Sequence, residues 1–257
     1  MASNRDLMVL QIDDQRDEPK PIRIKLYMWE PPVIENGPHT ASYIFRTTGT
    51  SPSVTRTFRE GDYYCSGAVA IETPGRSDEA TIEEPDERSR VIALPPQSGK
   101  TTILVASGAT WDKSEDLQAT LRSIFDEARD KTVSGLFAEH AEWWKEFWAR
   151  TFVYATSDDG LADYIEAVRC ILLYNMASSS RGDLPPKFNG MIFNTAGDYR
   201  PWGAQFWIWN TELMYFPLFA ADAIDLTEPY FDMYYRQLPN CRIAARQRWG
   251  SKGAFIG

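Results

Sequence analysis

Histidine and cysteine are both scarce in this chain. His39 and His140 are its only imidazoles, and neither has a Cys, His or carboxylate at ligand spacing. Zinc-type sites and His-based general-base chemistry therefore have no support, and no cofactor motif stands out. His140 lies one turn before Trp144 on an apolar face and reads as a packed histidine. Cys65, Cys170 and Cys241 are odd in number and far apart, so they make neither a disulfide framework nor a CxxC site. One long-range bridge stays open. An excess of positive charge is missing too. The net charge of −9 disfavours nucleic acid and anionic lipid as partners. No apolar run approaches the length of a membrane span, and Met1 to Asp13 is polar and acidic without the apolar stretch of a signal peptide. GxSxG, HExxH, Walker and strand-following GxGxxG patterns are all absent.

What is present changes period midway. Up to about residue 108 the chain reads as short strands. Ile22, Ile24, Leu26 and Met28 alternate with Arg23, Lys25, Tyr27 and Trp29, the period of a half-buried strand. Met8, Leu10 and Ile12 give a weaker version before it. Further strands are expected over 42–47, 54–58, 63–71, 88–94 and 101–107, separated by Gly, Pro and Asp clusters. With no helical crossover between them, they predict an antiparallel sandwich. The acidic run Asp78 to Glu87 reads as a solvated hairpin tip. From Trp111 the spacing turns helical. Asp112 with Glu115 suggests a cap, and Leu117, Leu121, Ile124 and Ala128 follow on one face. After an interruption at Thr132 to Gly135, Leu136, His140, Trp144, Phe147 and Trp148 resume the pattern, with Trp143 beside them. A third helix is expected with Leu161, Ile165, Val168, Leu172 and Met176 as its buried stripe. A fourth is expected from Phe206 until Pro217 bends or ends it, then pieces over 229–238 and 240–249. The fold class is α+β, with strands first and helices second.

Residues 184–219 stand out. Asn189, Asn194, Asp198, Arg200, Gln205, Asn210 and Glu212 are interleaved with Phe188, Phe193, Tyr199, Trp202, Phe206, Trp207 and Trp209. A core would have to satisfy every one of those polar groups, and a plain surface loop would not carry so many rings. Rings with amides and charges between them suit a ligand that has apolar faces and hydroxyl edges, as a sugar does. An aromatic packing corner is the alternative. Cleavage of a glycosidic bond needs two carboxyl groups, and Asp198, Glu212, Asp222 and Asp225 are candidates by type. Glu212 and Asn210, two residues apart on a helix, point to different sides.

Leu184-Pro185, Gly190, Asn194, Pro201-Trp202, Asn210 and Tyr215-Phe216-Pro217 together resemble the (α/α)6 glycoside hydrolases of the α-L-fucosidase type, family 95. His140 to Val153 is similar to the helix leading from that family's N-terminal sandwich into its helical barrel. The resemblance implies a β-sandwich over 1–110, linker helices over 111–156 and the N-terminal part of an α/α toroid over 157–257. It implies an inverting acid/base hydrolysis of oligo- or polysaccharide. Asn210 then positions water or substrate, and Asn189, Asn194, Arg200, Trp202, Gln205 and Trp207 bind the sugar, with Trp202 stacking on it. Two departures qualify this. Ile208 stands where the family carries the first asparagine of an Asn-x-Asn pair. Gly253-Ala254-Phe255-Ile256-Gly257 resembles the element that precedes the acid glutamate in related enzymes, so the chain is expected to be a fragment that lacks that acid. The family implies no cofactor, a carbohydrate partner and a compartment that can be extracytoplasmic, and it leaves the oligomeric state open. Three rivals fit the same residues: a polysaccharide lyase using Tyr199 and Arg200, a non-catalytic carbohydrate-binding module, and packing alone.

Overall fold

Alternation of buried and exposed side chains builds the N-terminal region. The structure is a computed structural model describing residues 5–188 and 208–256, and its internal contacts divide it into two units, 1–144 and 145–257. The first unit carries nine strands: β1 (Leu7–Asp14), β2 (Ile22–Tyr27), β3 (Val33–Asn36), β4 (His39–Thr48), β5 (Ser51–Glu60), β6 (Tyr63–Glu72), β7 (Thr81–Asp86), β8 (Ser89–Leu94) and β9 (Gly99–Thr110). They form a six-stranded sheet in the order β1-β9-β6-β5-β4-β3 and a three-stranded sheet in the order β2-β8-β7. Every pairing is antiparallel.

The period of two sorts the side chains into two cores. Ile71, Ile103 and Val105 leave the large sheet on one face and pack with Ile22, Ile24, Leu26, Ile92 and Leu94 of the small sheet. Ala68, Ala70, Leu104 and Ala106 leave it on the other and meet helix α1 (Leu117–Arg129) through Leu117, Leu121, Phe125 and Ala128. Sheet packs on sheet, and a helix covers the far side. The α1 stripe matches its sequence pattern, but its cap does not. Asp116 accepts from the Gln118 amide at 3.0 Å and caps α1, while Asp112 binds the Ser114 amide in the preceding turn. The acidic run is not a hairpin tip either. It forms a short 3₁₀ turn (Ser77–Glu79) and then β7, whose Ile82 packs on the core while Glu83 pairs with Arg23 at 2.5 Å. Opposite charges across the strands let a carboxylate-rich segment join the sheet.

Helix α2 (Val133–Thr151) begins inside the stretch expected to interrupt it, because the Thr132 hydroxyl accepts from the Gly135 amide at 3.1 Å. In the second unit, α3 (Leu161–Ser179), α4 (Ile208–Ala220), a 3₁₀ turn (Ile224–Thr227) and α5 (Glu228–Trp249) follow. Their core is Leu173, Met176, Ala177, Tyr215, Leu218, Leu226, Tyr230 and Ala245. Only Met176 of the stripe expected on α3 is fully buried. Leu161, Ile165 and Val168 are exposed. The expected break after Leu238 is absent: α5 is one helix with Pro239 inside it. Pro217 likewise lies within α4. Both prolines are exposed, so water can satisfy the carbonyl that each leaves without a partner. The three cysteines are free.

Candidate functional site

The described part of the aromatic belt, 184–188 and 208–219, follows the end of α3 and supplies α4. α3 ends at Ser180, where the Ser180 amide donates to the Met176 carbonyl at 2.8 Å, and Pro185-Pro186 then follow, both buried. Asn189, Asn194, Arg200, Trp202, Gln205 and Trp207 lie outside the described residues. Of the residues that the resemblance assigned to the site, Asn210 alone is described, in the first turn of α4 and half-buried. Ile208 and Trp209 beside it are exposed. Thr211, Tyr215 and Leu218 form the buried face of α4 at helical spacing. The Thr211 hydroxyl is buried there without a partner among the described residues.

Tyr215 anchors this face. Its hydroxyl is 2.7 Å from the Ser180 Oγ, which donates to the Leu226 carbonyl at 2.8 Å. Since the single Ser180 proton is engaged with Leu226, the Tyr215 phenol is the donor in the other bond. The Tyr230 ring lies 4.8 Å from that of Tyr215, and the Tyr234 ring lies 4.9 Å from that of Tyr230. Burial pushes the Tyr215 phenol up to about 12. Burial also lifts Tyr230 to about 12, and the charges of Tyr234 and Glu212 add to the effect. Tyr234 is raised as well, first by burial and then by Glu212. Glu212 lies two residues after Asn210 on α4, which sets the two on different sides of the helix.

Among the described residues of the second unit, a cavity of about 420 Å³ opens where α3 ends and α5 begins. Asp183, Asp225, Glu228 and Asp232 bring carboxylates to it, and Arg181 and Arg236 bring guanidinium groups. Arg236 donates to the carbonyl of Asp183 at 2.8 Å, and Arg150 holds both oxygens of Asp225 at 2.7 and 2.9 Å. Burial lowers the Arg181 guanidinium from its usual value. Such a lining can hydrogen-bond a polar ligand from several sides. Asn210 is not part of it. Its lining comes from the end of α3, the 3₁₀ turn and the start of α5, with no residue of α4. Of the carboxylates picked by type, Asp225 reaches the cavity and Glu212 does not. No sequence pattern pointed to the Ser180–Tyr215–Tyr230 cluster, whose members are spread along the chain and carry no shared motif.

His140 packs edge-on against Trp144 with centroids 6.2 Å apart, in keeping with a packing role. No group of His, Cys, Asp or Glu among the described residues could hold a metal ion, and no described helix is long and apolar enough to cross a membrane. No family model matches the chain, and no curated protein sequence does. Among solved structures the chain is similar to a "Putative kojibiose phosphorylase from human microbiome", with a TM-score of 0.60 and 10% identity. The match covers 96% of this chain and 32% of the other, so the chain spans about a third of that neighbour's length. At this identity the likeness is one of fold: antiparallel sheets followed by helices, in the same order.

Proposed function

We propose that this chain belongs to a carbohydrate-active enzyme that cleaves glycosidic bonds. In this reading residues 1–110 form its sandwich, 111–156 its linker helices, and 157–257 the first helices of an α/α toroid. The belt over 184–210 lines the saccharide site, where Asn189, Asn194, Arg200 and Gln205 bind hydroxyls, Trp202 and Trp207 stack on the ring, and Asn210 positions the attacking nucleophile or the substrate. The observation that carries the proposal is the fold correspondence over 96% of the chain to a protein described as a disaccharide phosphorylase. It agrees with the glycosidase resemblance reached from the belt's motifs. The exposed apolar stripe of α3 also supports it, because a toroid lays neighbouring helices against each other.

The nucleophile separates two versions. Water gives the inverting hydrolysis implied by the family 95 resemblance. Inorganic phosphate gives a sugar phosphate, and the description of the structural neighbour favours it. The test offers kojibiose, other glucobioses and fucosides to the protein, with and without phosphate, reading binding by saturation-transfer NMR and products by chromatography. Saturable saccharide binding is expected. Loss of a stacking ring in Trp202→Ala should weaken it about tenfold or more, and loss of one amide in Asn210→Ala roughly two- to tenfold. Binding of no saccharide, or binding indifferent to both substitutions, would refute the proposal. A phosphate-dependent product would decide for phosphorolysis.

A further inference from the structure

A second polar hollow lies in the first unit, far in sequence from the belt. Three segments wall it: the β4–β5 hairpin tip, the turn after β6, and one face of α1 along its length. It consists of two adjoining depressions of about 300 and 250 Å³ that share Thr48, Ser51, Glu72 and Arg129. The first is at the lower end of the roughly 300–1,000 Å³ usual for small-molecule sites.

Each wall is fixed. Ser51 Oγ donates to the Ile71 carbonyl at 2.9 Å and ties the hairpin tip to β6. Gln118 joins α1 to β5, accepting from Ser53 Oγ at 3.0 Å and donating to Thr55 Oγ1 at 3.1 Å. The turn over 73–80 closes around the buried Arg76 guanidinium, which donates to Glu79, to the Pro95 carbonyl and to Thr101. A hollow held on three sides before any ligand arrives loses little freedom on binding.

Its chemistry selects a neutral, hydroxyl-rich ligand. Glu72 and Arg129 meet at 2.6 and 2.7 Å, and Arg129 also pairs with Asp126. With Arg122 as the second cation of the lining, positive and negative charges balance, so there is no net field to favour an ion. The pair still has capacity. A guanidinium has five N–H donors and a carboxylate about four acceptor positions, so both keep directed bonds to offer. Donor and acceptor side by side, in a fixed plane, match two neighbouring hydroxyls of a sugar ring. Serine and threonine hydroxyls, which both donate and accept, line the remainder. Thr48, Thr50 and Ser77 are among them.

From this geometry we infer that the Glu72–Arg129 hollow is a binding site for one or two neutral sugar residues. It is separate from the belt over 184–210, and either site can fail without the other. The experiment titrates isotope-labelled protein with maltose, kojibiose and methyl α-glucoside, and follows backbone amides of residues 48–53, 72–77 and 118–129. These should shift together and saturate. Thr48→Trp, at an exposed position common to both depressions, should abolish the shifts by filling the hollow. Arg129→Gln, which removes the donor of the pair from a half-exposed position, should weaken binding several-fold with the fold intact, and Trp202→Ala should leave these shifts unchanged. The inference fails if the shifts survive Thr48→Trp, if inorganic phosphate or sulfate binds there more tightly than any of the sugars, or if glycerol binds as well as they do.

Discussion

Tyr215 is fully enclosed yet polar at its tip, and that combination links the helices of the second unit to pH. Its phenol donates to Ser180, which donates to the carbonyl of Leu226, so one chain of two bonds joins α3, α4 and the 3₁₀ turn before α5. A buried phenol resists ionisation because the phenolate would lose its water. Its folded pKa of about 12 lies above the ordinary value of 10.0. The sign follows. The unfolded chain releases this proton first, so the contribution to stability is intact below pH 10 and declines as the pH rises from there through 12. Tyr230 shares the shift. Tyr215→Phe keeps the ring and removes the hydroxyl. At pH 7 it should cost about 1 kcal/mol, the usual net worth of one hydrogen bond. Between pH 10 and 12 its unfolding temperature should fall less steeply than that of the unsubstituted protein. Calorimetric scans of both proteins across that range check the prediction, and parallel curves would contradict it.

At the scale of elements, the alternating strands were the most legible part. Ile22, Ile24 and Leu26 announce β2 because a half-buried strand must place every second side chain in the core. The α1 stripe was equally readable, since polar residues flank it on both sides. α3 was not, because Tyr164, Ile171 and Tyr174 add apolar groups outside the expected stripe, and periodicity cannot choose a face on a helix that is apolar almost all round. Only its last turns, through Leu173, Met176 and Ala177, are buried. β7 was missed because its carboxylates suggested solvent, whereas the arginines that balance them, Arg23 and Arg90, lie on other strands. Within α4, the setting of Asn210 and Glu212 on different sides was readable from helical spacing. The Glu72–Arg129 hollow was not, being assembled from three distant segments. Proline gives the test at this scale. Pro239 interrupts a 22-residue helix that runs on regardless. Its missing N–H leaves the carbonyl of Tyr235 without its helical partner, at a position where proline costs about 3 kcal/mol relative to alanine. Pro239→Ala should raise the unfolding free energy by about 1–3 kcal/mol, read by urea titration, and no gain would mean that the surrounding contacts already offset the break.

For the molecule as a whole, two forces act against each other. A net charge of −9 keeps copies apart, while α3 presents Leu161, Tyr164, Ile165, Val168 and Ile171 to solvent, with Ile165 58% and Ile171 60% exposed. An apolar face of that extent is a self-association hazard when nothing covers it. Repulsion between copies reaches about 10 Å at 0.1 M salt and only about 3 Å at 1 M, whereas apolar attraction is not screened. Raising salt should therefore drive this chain into concentration-dependent oligomers, visible by light scattering on a sizing column. Replacing both isoleucines, Ile165→Gln with Ile171→Gln, leaves the net charge unchanged and breaks the apolar face. Because neither side chain is buried within this chain, the pair should alter its unfolding free energy by no more than about 0.5 kcal/mol per site while abolishing the salt-driven association. A larger loss of stability would show that the stripe is already packed inside one molecule. Association that persists would move the adhesive surface away from α3, and the support that the stripe lends to a helical toroid would go with it.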